Sequence, residues 1–110
     1  MSYPTSKQII IEYLNSLENV KKSQPFEKDV DLYTVNDQMF ALINNRDPAT
    51  LSLRCDKILS EFLQDKYESV MPGQKLDKEK WISIVDSGQV PPDETKDLIL
   101  LSYNLAKEIE

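Results

Sequence analysis

Apolar positions along this chain change period several times, and each change marks an element. Ile10, Tyr13, Leu14 and Leu17 recur at helical spacing, with Thr5 and Gln8 placed as a capping box, so the chain opens on a helix. The polar run Lys21-Lys22-Ser23-Gln24-Pro25 breaks that pattern and reads as a connector. From Val30 to Val35 and from Gln38 to Ile43 the pattern becomes strand-like. Asn36-Asp37 between them tolerates the positive φ of a two-residue hairpin turn. Asn44-Asn45-Arg46-Asp47-Pro48 is a second turn. Thr50 to Cys55 then alternates, Leu51, Leu53 and Cys55 against Thr50, Ser52 and Arg54, which is a strand with one buried side.

Asp56 stands where an N-cap belongs, ahead of an apolar stripe of Ile58, Leu59, Phe62 and Leu63. Pro72-Gly73 closes that region. Gln74 to Leu76 and Trp81 to Val85 read as a short hairpin, with Asp77-Lys78-Glu79-Lys80 near its tip, and Asp86-Ser87-Gly88-Gln89 as a turn. Pro91-Pro92-Asp93 starts the last helix, where Leu98, Leu101, Leu105 and Ile109 share a face flanked by Ile99, Tyr103 and Ala106. The order α-βββ-α-ββ-α, with hairpin-length connections, predicts a mostly antiparallel sheet with helices on one face. Its expected core is Leu14, Leu17, Phe40, Leu42, Leu53, Trp81, Leu98 and Leu101. A length of 110 residues without repeats or linkers implies a single domain spanning 1–110.

Composition narrows the class. Apolar residues at 40% and charged residues at 29% suit a globular protein. No apolar run approaches the ~20 residues that cross a bilayer, the first residues lack a signal-peptide core, and the single cysteine has no internal partner. A cytoplasmic location is expected. The net charge is −6, with the acidic excess in residues 25–56 and 82–110 and a balanced stretch at 57–81. Nucleic-acid binders normally display excess Lys and Arg. Only a local patch serves here, and the best is Lys75, Lys78 and Lys80, with Asp77 and Glu79 between them.

The chain has no histidine and two glycines. That removes a Ser-His-Asp set, Cys/His zinc sites and glycine-rich phosphate loops. No cofactor is implied. Cys55, inward by alternation, reads as a core residue rather than a nucleophile. Glu27, Asp29 and Asp31, at period two on one strand face, read as a solvated edge face, with hard-cation binding as the alternative. Trp81 is expected to pack under the last helix, with base stacking as the alternative.

The ordered landmarks resemble one family. Leu17 and Val20 close the first helix, and Pro25-Phe26, Tyr33-Thr34-Val35 and Met39-Phe40-Ala41-Leu42 follow. Leu53-Arg54-Cys55-Asp56, Pro72-Gly73, Lys78, Trp81, Val90-Pro91, Leu98-Ile99 and Ser102-Tyr103 complete the set. Together they resemble the MmcQ/YjbR proteins over nearly the whole chain. The resemblance implies a CyaY-like two-layer α/β sandwich, of the α+β class and shared with frataxins. It also implies a non-enzymatic DNA-binding module with two hairpins as a double wing. On that reading the 74–81 hairpin contacts nucleic acid weakly through Lys75, Lys78 and Lys80, together with Arg54 and Lys57. The chain departs from the family where Gln74, Lys75 and Lys80 replace its usual Tyr-His and second His. Frataxin-like iron delivery is excluded by a first helix whose acids are only Glu12 and Glu18. The alternatives are a protein-interaction adaptor using the acidic surface and, third, a carboxylate-dependent enzyme or small-molecule binder. A monomer is expected.

Overall fold

A computed structural model describes residues 6–46, 49–73, 80–85 and 89–109. The elements are α1 (Ser6–Ser16), β1 (Val20–Ser23), β2 (Val30–Val35), β3 (Gln38–Asn44), β4 (Thr50–Arg54), α2 (Lys57–Lys66), β5 (Val70–Pro72), β6 (Trp81–Val85) and α3 (Pro92–Lys107). The strands form one six-stranded sheet in the order β1-β2-β3-β4-β6-β5, antiparallel at each of its pairings. This is the mostly antiparallel sheet with helices expected from the periodicity, in the α+β class that the resemblance implies.

The turns follow from their residues. Asn36 and Asp37 sit at φ 51° and 64°, and Val35 pairs with Gln38, so the β2–β3 hairpin closes on two left-handed residues. Asn19, at φ 63°, turns the chain from α1 into β1. The Tyr103 hydroxyl of α3 donates to the Glu18 carbonyl at 2.6 Å and holds that turn. Asp56 caps α2 as expected, accepting from the Leu59 N–H at 2.9 Å. The proposed cap at Thr5 lies outside the described residues, as do Gln74–Leu76 and the 86–88 turn.

One cluster forms the core on the helical side of the sheet. Leu14 of α1, Leu63 of α2 and Leu98, Ile99, Tyr103 and Ala106 of α3 meet Tyr33, Val35, Phe40, Ala41, Leu53, Ile82 and Ile84. The register shifts between Tyr33 and Thr34, so Phe40 and Ala41 both reach this face, and Phe40 meets Tyr103 edge-on at 5.6 Å. Ser102 bridges that irregularity. Its Oγ accepts from the Arg54 N–H at 2.8 Å and donates to the Phe40 carbonyl at 2.6 Å.

Several expectations need correcting. Lys21-Lys22-Ser23 is not a connector but most of the edge strand β1, paired with Leu32 to Val35. Val70–Pro72, read from the sequence only as the end of the α2 region, is a strand paired with β6. Leu101 is 40% exposed, because α3 rests on Thr95, Leu98, Ile99, Ser102, Tyr103 and Ala106 and is rotated away from the all-leucine face. Leu17 and Leu42 are half-buried. The stripe of α2 is split, with Leu63 in the core while Ile58 and Phe62 face solvent.

Candidate nucleic-acid interface

The pairing of β4 with β6 joins residues far apart in sequence. Arg54 is the Cα partner of Trp81, and the next backbone bond runs from the Cys55 N–H to the Lys80 carbonyl at 2.8 Å. Lys57 opens α2 directly after that point. Arg54, Lys57 and Lys80 therefore gather at one end of the sheet. The connection carrying Lys75 and Lys78 is rooted there, since the Gly73 N–H donates to the Trp81 carbonyl at 2.9 Å. Lys75 and Lys78 themselves lie outside the described residues.

Within this group the cations differ in freedom. Lys57 and Lys80 are exposed. Arg54 is half-buried, donates from Nε to the Met39 carbonyl, and lies 5.0 Å over the Trp81 ring. Burial lowers its pKa, though a guanidinium stays charged at any physiological pH. Arg54 thus ties β3 to β6 as well as adding charge. The positive end of α2 is already answered by the Asp56 carboxylate.

Trp81 is packed, but not under α3. Paired residues share a sheet face, so Ile82 joins Leu53 in the core while Trp81 turns with Arg54 to the opposite face. It is 4% exposed there, which leaves no ring face for a base. Cys55 is buried beside Asp56, and its thiol is pushed up to about 12, first by burial and then by that carboxylate. It is an inert core residue.

The acidic trio does not share a strand face. Glu27 and Asp29 precede β2, and Glu27 pairs with Arg46. Asp31 is 6% exposed. Its burial favours the neutral acid, yet the Gln24 and Asn45 amides at 2.7 and 3.0 Å, then Lys22 and Lys7, outweigh this and lower its pKa. With its oxygens so occupied, Asp31 clamps the β1–β2 loop. A cavity between α1 and the start of α3 has a volume of about 50 Å³. That is about a third of the roughly 150 Å³ that admits benzene.

Comparison with known proteins agrees with this architecture. The YjbR family model matches residues 15–105. The chain belongs to the YjbR family. It is 28% identical to the uncharacterized protein YbdF of Escherichia coli O157:H7, over 94% of this chain and 82% of that one. Identity is also 28% to the uncharacterized protein YyaQ of Bacillus subtilis strain 168, over 93% and 98% of the two chains. Among solved structures, Deinococcus radiodurans DR2400, a DUF419-domain protein, superposes with a TM-score of 0.87 at 26% identity, covering 94% of this chain and 79% of that one. A Pseudomonas syringae protein gives 0.79 at 25% identity, covering 91% and 97%. The fold is therefore shared with these two solved structures.

Sequence reasoning missed two features near this end. One is the Ser102 bridge, whose only sequence signal is a small polar residue between apolar neighbours on α3. The other is the solvent-facing pair Ile58 and Phe62, concealed by their agreement with a helical stripe.

Proposed function

We propose that this YjbR chain is a non-enzymatic binding module that contacts the phosphate backbone of nucleic acid, weakly and without sequence preference. The carrying observation is the convergence of Arg54, Lys57 and Lys80 at one sheet end, where the connection bearing Lys75 and Lys78 begins and ends. Phosphate contact asks for cations held in register, which β4–β6 pairing and the α2 cap supply. Trp81 offers no ring face for base stacking, because it is buried and lies under Arg54. A net charge of −6 opposes a polyanion at long range, so affinity depends on this focused patch.

The test is fluorescence anisotropy with duplex and single-stranded DNA across a salt series. Binding is expected in the range of about 10⁻⁴ to 10⁻⁶ M typical of non-specific contacts, weakening steeply with salt. Lys75→Glu, Lys78→Glu and Lys80→Glu together should abolish it and leave the unfolding midpoint nearly unchanged. Absence of binding at low salt rules the reading out and leaves the protein adaptor; nanomolar, sequence-selective binding at physiological salt contradicts the weak, non-specific form.

A further inference from the structure

Helices and sheet do not close completely at the end remote from the basic group. Pairing of β4 with β6 runs from Arg54–Trp81 at the basic end to Thr50–Val85 at the other. There Ile43, Leu51 and Ile84 lie abreast on neighbouring strands, all buried, and floor the cavity of about 50 Å³. Ile10 of α1, Val90, and Thr95 of α3 form its walls. Lys7, Ala49 and Pro92 also line it but are only half-buried, so it opens to solvent past them. Protein interiors are packed to crystal density, and side chains no larger than those of Ala49 and Thr95 leave this space open.

Lys7 brings the one charge in the lining. Its amine forms no ion pair among the described residues. It helps to lower the pKa of Asp31, but that carboxylate already accepts from Gln24 and Asn45 and has Lys22 at 3.8 Å. The Thr95 hydroxyl is committed as well, donating to the Pro91 carbonyl at 3.0 Å.

We propose that this cavity binds a short branched carboxylate, its aliphatic end on Ile43, Leu51 and Ile84 and its carboxylate on Lys7. Size sets the aliphatic end. Benzene fills about 150 Å³, or about 25 Å³ per carbon, so about 50 Å³ takes two or three carbons. An isopropyl group has that size, whereas a ring does not fit and a long unbranched tail stays partly in water. Charge sets the other end. A carboxylate accepts a charge-assisted hydrogen bond from an ammonium group, about twice as strong as a neutral one, while an amine would meet Lys7 with like charge. Arg54 and Lys80 lie at the far end of the β4–β6 pairing, so the site is separate from the nucleic-acid patch.

The test is an amide-shift titration of the ¹⁵N-labelled chain with sodium isobutyrate at neutral pH and constant ionic strength. Shifts at Ile43, Leu51, Ile84 and Thr95 are expected to saturate together with a millimolar Kd, which suits so few atoms. Isobutyramide, the same shape without the charge, should bind about fivefold more weakly, and benzoate should leave the floor residues unmoved. Lys7→Gln should bring isobutyrate down to the affinity of the amide and leave the amide's own affinity unchanged. Ala49→Leu should block both by filling the cavity. Equal binding of acid and amide to the parent chain overturns the proposal, as does a Lys7→Gln chain that binds isobutyrate as the parent does. Undiminished binding by Ale49→Leu would do the same, and so would shifts scattered over exposed lysines. Absence of saturable shifts up to about 100 mM isobutyrate also overturns it, since a millimolar site is filled well before that.

Discussion

Gly73 has no room for a side chain: a Cβ there would stand 2.6 Å from the Trp81 Cβ, with the Trp81 carbonyl carbon and oxygen just behind. The two residues lock β5 to β6 below the basic patch, and Arg54 covers the indole on its other side. Trp81→Ala should lower stability by about 3 to 5 kcal/mol, as large-to-small changes in packed sites do. Gly73→Ala should cost about 1 to 3 kcal/mol, because rigid backbone and a Cβ must move. Urea denaturation measures both, and a Trp81→Ala chain of unchanged stability that lost only ligand binding would restore the stacking reading. Burial of Cys55 was legible from the alternation Leu51, Leu53, Cys55, and so was the positive-φ capacity of Asn36-Asp37. The side on which Trp81 packs was less so. Alternation sets it opposite Ile82 and Ile84, but only the Leu53–Ile82 pairing says which of those faces the helices cover.

Elements with one strong apolar face were readable, and those at the sheet's margins were not. β4 carries its signal in every second residue and β2 and β3 in apolar runs, whereas β1 is an edge strand whose Lys21, Lys22 and Ser23 stay exposed. Such a strand is defined by its partner rather than by its own pattern. The rotation of α3 has a similar origin, since the irregularity at Phe40 demands a hydroxyl and Ser102 takes the place that leucine spacing assigned to Leu101. Two predictions belong here. The β2–β3 turn holds Asp37 at φ 64°, where glycine carries no Cβ penalty, so Asp37→Gly should raise stability by about 0.5 to 1 kcal/mol. An unchanged or lower urea midpoint would contradict the turn geometry. The β1–β2 loop is clamped by Asp31, whose folded pKa lies below the ordinary 3.8. A lowered carboxylate pKa stabilises the fold above the unfolded value and is lost as pH falls through the folded one. Asp31→Asn should therefore cost about 1 to 3 kcal/mol at pH 7, the worth of hydrogen bonds to a charged group. The gap from the parent chain should close as pH falls below 3.8, and a gap independent of pH would show that the charge is not what holds the loop.

At the scale of the whole molecule, the sheet divides the chain's duties. One face carries α1 and α3 over the core, and the other keeps Trp81 and the Ser52–Ser83 hydroxyl pair, 2.9 Å apart, out of solvent. The end where β4, β6 and α2 meet is left to present cations from a chain of net charge −6. The fold could be read because its signals are local. The basic group was only partly readable, since Arg54 and Lys80 become neighbours solely through the β4–β6 pairing that β5 and α2 separate in sequence. Titrating ¹⁵N-labelled chain with a short duplex at low salt, followed by amide shifts, tests that surface most directly. The expected outcome is perturbation confined to residues 54–58 and 80–82 and the connection between Gly73 and Lys80, fading as salt is added. Shifts centred instead on β1 or the C-terminal half of α3, or none at any ratio, would contradict it.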